Sequence, residues 1–325
     1  MNLKIKILFS ILIMGLLGTR VFAKELTSEE NRLNEKASRF VERGNVLFEK
    51  KRYKRAVKEY KKAIKVYSKQ IWAHYNLGRT YEAMDMKAEA IRAYENGVKT
   101  DPTVAVIHNN LGLLYEDRGD LDAAIFEYLE AVHSDSKYGP AYSNLGDAYY
   151  NQGNYEKAME YFKKAAELDP ESPYGYNNLG NAYTKLGRLD DAVREYNKAL
   201  EINPKLGYVL NNLGNAYVAK KEPNFAIINL NKAKDIDPEN PFVYDNLGDA
   251  YRLKGMFEEA VQNYQEALKL NPDFFISYYK LGTLYREKDP EKAKMYLSKF
   301  LKYAKTDSLK REVEEMMKTL TKGGS

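Results

Sequence analysis

Gly44, Gly78, Gly112, Gly146, Gly180, Gly214, Gly248 and Gly282 follow one another at a constant interval of 34 residues. Seven equal intervals mean a repeated supersecondary unit, and such units bury their apolar faces only by stacking on their neighbours. Aligned on these glycines, the copies begin at Ala37, Ile71, Ala105, Gly139, Pro173, Gly207, Pro241 and Phe275. The eleventh place is Tyr81, Tyr115, Tyr149, Tyr183, Tyr217, Tyr251 and Tyr285, and the twentieth is Ala56, Ala90, Ala124, Ala158, Ala192, Ala226 and Ala260. Pro102, Pro170, Pro204, Pro238 and Pro272 close their units. Within a unit, apolar residues recur at intervals of three and four, as in Tyr155, Ala158, Met159, Phe162 and Ala165. This spacing predicts two antiparallel helices per copy. The turn between them holds Gly119, Gly153, Gly187 or Gly255, and Lys51, Asp85 and Lys221 stand there in other copies.

This pattern resembles the tetratricopeptide repeat family over residues 37 to about 307. The resemblance implies an all-α fold, a right-handed α-solenoid of eight helix-turn-helix units. The units are 37–70, 71–104, 105–138, 139–172, 173–206, 207–240, 241–274 and 275–307. A C-terminal capping helix is expected over 308–321, because Leu309, Val313, Met316, Met317 and Leu320 form one apolar stripe, followed by a flexible tail, 322–325. The last copy departs from the pattern: its turn is one residue shorter, Phe300 replaces a small residue and Lys305 replaces Pro.

Residues 1–23 differ from the rest. Lys4 and Lys6 precede an apolar run from Ile7 to Gly18, and Val21 to Ala23 offers a small-residue cleavage site. The order reads as a signal peptide cleaved after Ala23, leaving a lead over 24–36 and an exported protein of the periplasm or cell envelope. The alternative is an uncleaved anchor, for which the run is short against the ~20 residues of a spanning helix. Residues 1–23 carry three cations and no acid, so the net charge of +5 falls to +2 without them. So balanced a chain is a poor nucleic-acid binder. It has no cysteine, no phosphate-binding Gly-Lys loop and no nucleophile elbow. No enzyme activity or cofactor is expected. His74 and His108 share the fourth place of adjacent copies, but two imidazoles without a third ligand do not make a metal site.

The most distinctive residues are asparagines. Asn76, Asn110, Asn144, Asn178, Asn212 and Asn246 hold the sixth place of six consecutive copies, joined by Asn177 and Asn211 at the fifth and Asn181 and Asn215 at the ninth. Asn is a poor helix-interior residue, so another requirement must favour it there. At about 100° per residue these places lie opposite the arc of the fourth, seventh, eighth and eleventh. The second place adds Trp72, Tyr174, Tyr208 and Phe242. A primary amide both donates and accepts, so a row of them suits the backbone of an extended peptide. The family resemblance implies that this arc lines the concave surface where peptides bind, and the row is similar to the asparagine ladder of O-linked N-acetylglucosamine transferase repeat domains. The alternative is that sixth-place Asn, frequent in the family consensus, records duplication and helix solvation.

The function expected is a non-catalytic scaffold binding a protein or peptide partner and no nucleic acid. A self-assembling solenoid and a substrate-presenting subunit of an envelope enzyme such as a glycosyltransferase are the alternatives. Residues 37–70 hold 12 Lys and Arg against 3 Glu. The run 50–69 either contacts an anionic surface or is the solvated face of a terminal unit.

Overall fold

The computed structural model describes residues 27–303 and 306–322. The apolar N-terminal run with its cleavage site, Lys305, the Leu309 side chain and the final residues of the tail lie outside that description. The chain divides after Pro102 into two compact units.

The first unit holds two helical hairpins: α1 (Ser28–Glu49) with α2 (Tyr53–Val66), and α3 (Ile71–Glu82) with α4 (Lys87–Thr100). Helix α1 takes in most of the expected lead, because Thr27 and Glu30 form a capping box. The Glu30 amide donates to Thr27 Oγ1 (3.2 Å) and the Thr27 amide to Glu30 Oε2 (3.1 Å).

The second unit holds six hairpins and a closing helix. They are α5 (Ala105–Asp117) and α6 (Leu121–Ser134), α7 (Gly139–Asn151) and α8 (Tyr155–Leu168), then α9 (Pro173–Lys185) and α10 (Leu189–Ile202). Next come α11 (Gly207–Ala219) and α12 (Pro223–Ile236), α13 (Pro241–Leu253) and α14 (Phe257–Leu270), α15 (Ile276–Tyr285) and α16 (Pro290–Leu301), and finally α17 (Asp307–Lys322). Within each unit a second helix also packs on the first helix of the next hairpin, the solenoid arrangement expected of such repeats. The three non-glycine turn residues, Lys51, Asp85 and Lys221, take φ of 55°, 56° and 60°, the left-handed region that glycine occupies in the other turns.

One contact sets the spacing inside every hairpin. The eighth-place glycine of the first helix lies against the side chain sixteen residues on, in the second helix. Gly44 meets Tyr60, Gly78 meets Tyr94, Gly112 meets Tyr128, Gly146 meets Phe162, Gly180 meets Tyr196, Gly214 meets Leu230 and Gly248 meets Tyr264. A Cβ at Gly180 would sit 2.6 Å from Tyr196 Cε1, and the other six would approach ring or Leu carbons to 2.4–2.5 Å. The side chains that cross the glycines are almost wholly buried, each contributing on the order of 2 kcal/mol of apolar burial.

The last hairpin obeys the same rule with its register corrected. Because its turn is one residue shorter, Gly282 meets Leu297, fifteen residues on. Phe300 is buried against the ring of Tyr279 (5.3 Å) and beside Val313 of α17. The small residue of earlier copies is replaced because this hairpin packs on a single helix, whose Val313, Met316, Met317 and Leu320 face it.

Gly180→Ala is expected to destabilise the protein by about 1–3 kcal/mol through overpacking. In a Tyr196→Ala background the same change should be neutral or stabilising, since alanine's helix propensity then acts alone. Denaturant unfolding of the four proteins checks this.

Candidate functional site

The first helices carry the asparagine row, and its geometry is cooperative between copies. In the second unit Asn144 Nδ2 donates to Asn109 Oδ1 (2.8 Å) and Asn178 Nδ2 to Asp147 Oδ1 (3.4 Å). Asn212 Nδ2 donates to both Asn177 Oδ1 (3.1 Å) and Asn181 Oδ1 (3.2 Å), and Asn246 Nδ2 to Asn211 Oδ1 (2.9 Å). The rule is simple: a sixth-place side chain donates back to the fifth or ninth place of the preceding copy, 35 or 31 residues earlier. The first unit repeats it, with Asn76 Nδ2 on Asn45 Oδ1 (3.1 Å). At the C-terminal end the rung becomes ionic. Lys280 takes the sixth place and pairs with Asp245 (2.5 Å) and Asp249, while Ser277 Oγ donates to Asp245 (2.7 Å). Burial raises the Asp245 carboxyl pKa, outweighing the lowering by Lys280.

This corrects the angular expectation for the fifth place. Asn109, Asn177 and Asp245 are buried, at 4%, 6% and 5% exposure, instead of facing away from packed structure. Within each unit the first helices of successive copies touch, so the fifth place of one helix is covered by the sixth of the next. Asn110, Asn144, Asn178, Asn211, Asn212 and Asn246 are half-buried, as are Asn76 and Asn181. Asn215 is exposed, and its amide makes no hydrogen bond among the described residues.

A further link was not visible in the helical wheel. Where a tyrosine crosses the glycine, its hydroxyl reaches this face: Tyr60 donates to Asn45 (2.8 Å), Tyr196 to Asn181 (2.8 Å) and Tyr264 to Asp249 (2.8 Å). Tyr128 donates to Glu116 (2.8 Å). Burial pushes the Tyr60 hydroxyl up to about 12 and the others higher, so all remain protonated donors. The sequence signal for the ionic rung was present: Lys280 stands 35 and 31 residues after Asp245 and Asp249, where the neutral rungs hold Asn.

The second-place aromatics flank the row and are open to solvent: Trp72, Tyr174, Tyr208 and Phe242 are all exposed. Tyr174 and Tyr208 stack at 6.4 Å with 10° between their planes, and Phe242 stands edge-on to Phe274 at 4.8 Å. In the first unit Trp72 meets Tyr75 edge-on (5.7 Å) at a cavity of about 350 Å³ shared with Asn45, Asn76 and Glu42. The two histidines have separate roles. His74 Nε2 lies 3.0 Å from the Ser68 carbonyl, and buried His108 Nδ1 lies 2.7 Å from Glu127 Oε2.

Family models match nearly all of the repeated region. The model described as a TPR repeat matches residues 44–85, 146–187, 180–221 and 248–289, and models described as tetratricopeptide repeats match 75–140, 208–240 and 277–306. The chain belongs to the tetratricopeptide repeat family, whose members bind protein or peptide partners and are typically non-catalytic. Among solved structures, Cut9–Hcn1 of the APC/C is 19% identical with a TM-score of 0.60, covering 90% of this chain and 58% of that one. The C-terminal part of a TPR protein from Cytophaga hutchinsonii is 20% identical with a TM-score of 0.58, covering 71% and 95%. YrrB, described as a TPR protein with an unusual peptide-binding site, is 22% identical with a TM-score of 0.50, covering 58% and 98%. No curated protein matches the chain.

One member of the row titrates in an unusual range. Asp147, at the ninth place of α7, has its carboxyl pushed up to about 6 by desolvation among the neighbouring helices and then by the Glu116 carboxylate. The folded chain holds this proton to about pH 6, whereas the unfolded chain releases it near the ordinary aspartate value of 3.8. Raising the pH through that window therefore costs stability. Asp147→Asn keeps an acceptor for Asn178 and removes the charge. Its stability relative to the parent should rise between about pH 4 and pH 6 and hold above that. Unfolding midpoints across the pH series measure it, and an advantage that shrinks with rising pH contradicts it.

Proposed function

We propose that the second unit binds an extended peptide segment along its amide row, as a non-catalytic scaffold of the cell envelope. The observation that carries this reading is the division of labour within the row. Asn212 Nδ2 is held by both Asn177 and Asn181, which leaves its Oδ1 with no donor among the described residues. Asn144 and Asn246 each donate to the preceding copy in the same way, while Asn215 keeps a whole amide open. A pre-organised row of acceptors with an occasional donor suits the N–H and C=O groups of an extended backbone and asks nothing of its side chains. Tyr174, Tyr208 and Phe242 beside it supply apolar contact that a peptide's side chains would cover. The peptide site reported in YrrB's description supports the reading by analogy of fold. The envelope setting rests on the N-terminal sequence, with cleavage after Ala23.

The residues to alter are those outside the inter-copy network. Asn215→Ala with Tyr208→Ala and Phe242→Ala should weaken peptides selected from an unstructured library by at least about tenfold, since hot spots of this kind each contribute about 1–2 kcal/mol. The unfolding midpoint should stay close to that of the parent. Affinity by fluorescence anisotropy checks this, and full retention of binding would remove the amide row from the site.

A further inference from the structure

The first unit carries a charged surface that the peptide reading does not use. On α1, Arg32, Lys36, Arg39 and Arg43 recur at intervals of four, three and four, which places them on one face, and all are exposed. On α2, Arg55, Lys58, Lys62 and Lys65 recur at three, four and three, again all exposed. The ring of Phe40 joins the two faces, with the Arg43 guanidinium 5.7 Å and the Lys62 ammonium 5.9 Å from its centroid. Eight cations thus lie side by side on two helices that pack together.

Few acids answer them. Lys62 pairs with Glu59 (2.6 Å), but the other seven have no carboxylate within ion-pair distance among the described residues. Glu29, in the first turn of α1, and Glu35, three residues after Arg32 and four before Arg39, are further acids on that helix's basic side. Glu42 and Glu49 line cavities with Asn45, and Glu42 and Glu59 also border one with Arg43. Nor is the face built to receive another hairpin. Arg43 is exposed at the seventh place, where Leu77, Leu111, Leu145, Leu179, Leu213, Leu247 and Leu281 are buried in the later copies. A second copy stacked there would bury a guanidinium without a partner.

We propose that the joined basic faces of α1 and α2 dock on anionic phospholipid headgroups. The charge is complementary, and each Lys or Arg near such a surface adds appreciable attraction within a Debye length. The export reading supports this occupant over a nucleic acid, since the mature chain, cleaved after Ala23, would meet the lipid surfaces of the envelope. The face also offers no free aromatic on which a base could stack, since Phe40 is flanked by Arg43 and Lys62. This inference shares only the export reading with the proposed function and is independent of the amide row.

Co-sedimentation of the full chain with vesicles tests it. Binding to phosphatidylcholine–phosphatidylglycerol vesicles should exceed binding to phosphatidylcholine alone and fall steeply with salt. The combined change of Arg39, Arg43, Arg55, Lys58 and Lys65 to Gln should remove that excess, a loss of at least about a hundredfold in partitioning. Arg39→Lys with Arg43→Lys and Arg55→Lys should retain it and controls for folding. Equal binding to both vesicles, an excess that survives the Gln changes, or binding to duplex DNA without binding to anionic vesicles would each overturn the proposal.

Discussion

A ring crossing a glycine is the contact on which the rest of the structure depends. Six of the eight hairpins bring their helices close enough for an aromatic side chain of the second helix to lie across a position with no Cβ in the first, and Leu230 and Leu297 take that place in the other two. The ring then passes through to the opposite face, where its hydroxyl needs a partner. Asn45, Asn181 and Asp249 provide one, within the same copy as the tyrosine that meets them. The polar row is therefore joined to the apolar core by one residue type. Where Phe162 or Leu230 replaces the tyrosine, the packing survives and the hydroxyl link is absent.

The row then binds copy to copy. Donation from a sixth-place amide to the preceding fifth and ninth places spans adjacent first helices, so these asparagines add to the stacking interface. The substitution of Lys280, Asp245 and Asp249 for three amides keeps the connectivity and changes its chemistry. Seen this way, Asn is present because a short side chain carrying both donor and acceptor can link two helices and still leave an atom outward. Structure and ligand recognition need not compete for the same atoms.

Much of this was legible in the sequence. The interval of the glycines set the number of hairpins, and three-and-four spacing placed their helices. The capping box at Thr27 and Glu30 starts α1 ahead of the repeat boundary at Ala37, because a helix start is set by its local cap and not by the repeat period. What a single-helix wheel could not show was the burial of Asn177, because the wheel lacks the neighbouring helix that covers it. The basic face was half visible: the run on α2 stood out by composition, whereas the α1 stripe is diluted by intervening acids and emerges only when Phe40 brings the helices together.

The central claim is that the asparagine row is an energetic link between copies. A double-mutant cycle on Asn181→Ala and Asn212→Ala, read by denaturant unfolding, addresses it most directly. The residues lie 31 apart in sequence and are joined by one 3.2 Å hydrogen bond. The account predicts a coupling energy of about 1 kcal/mol, the net worth of a hydrogen bond in a partly buried setting. Effects that add to within about 0.3 kcal/mol would contradict it.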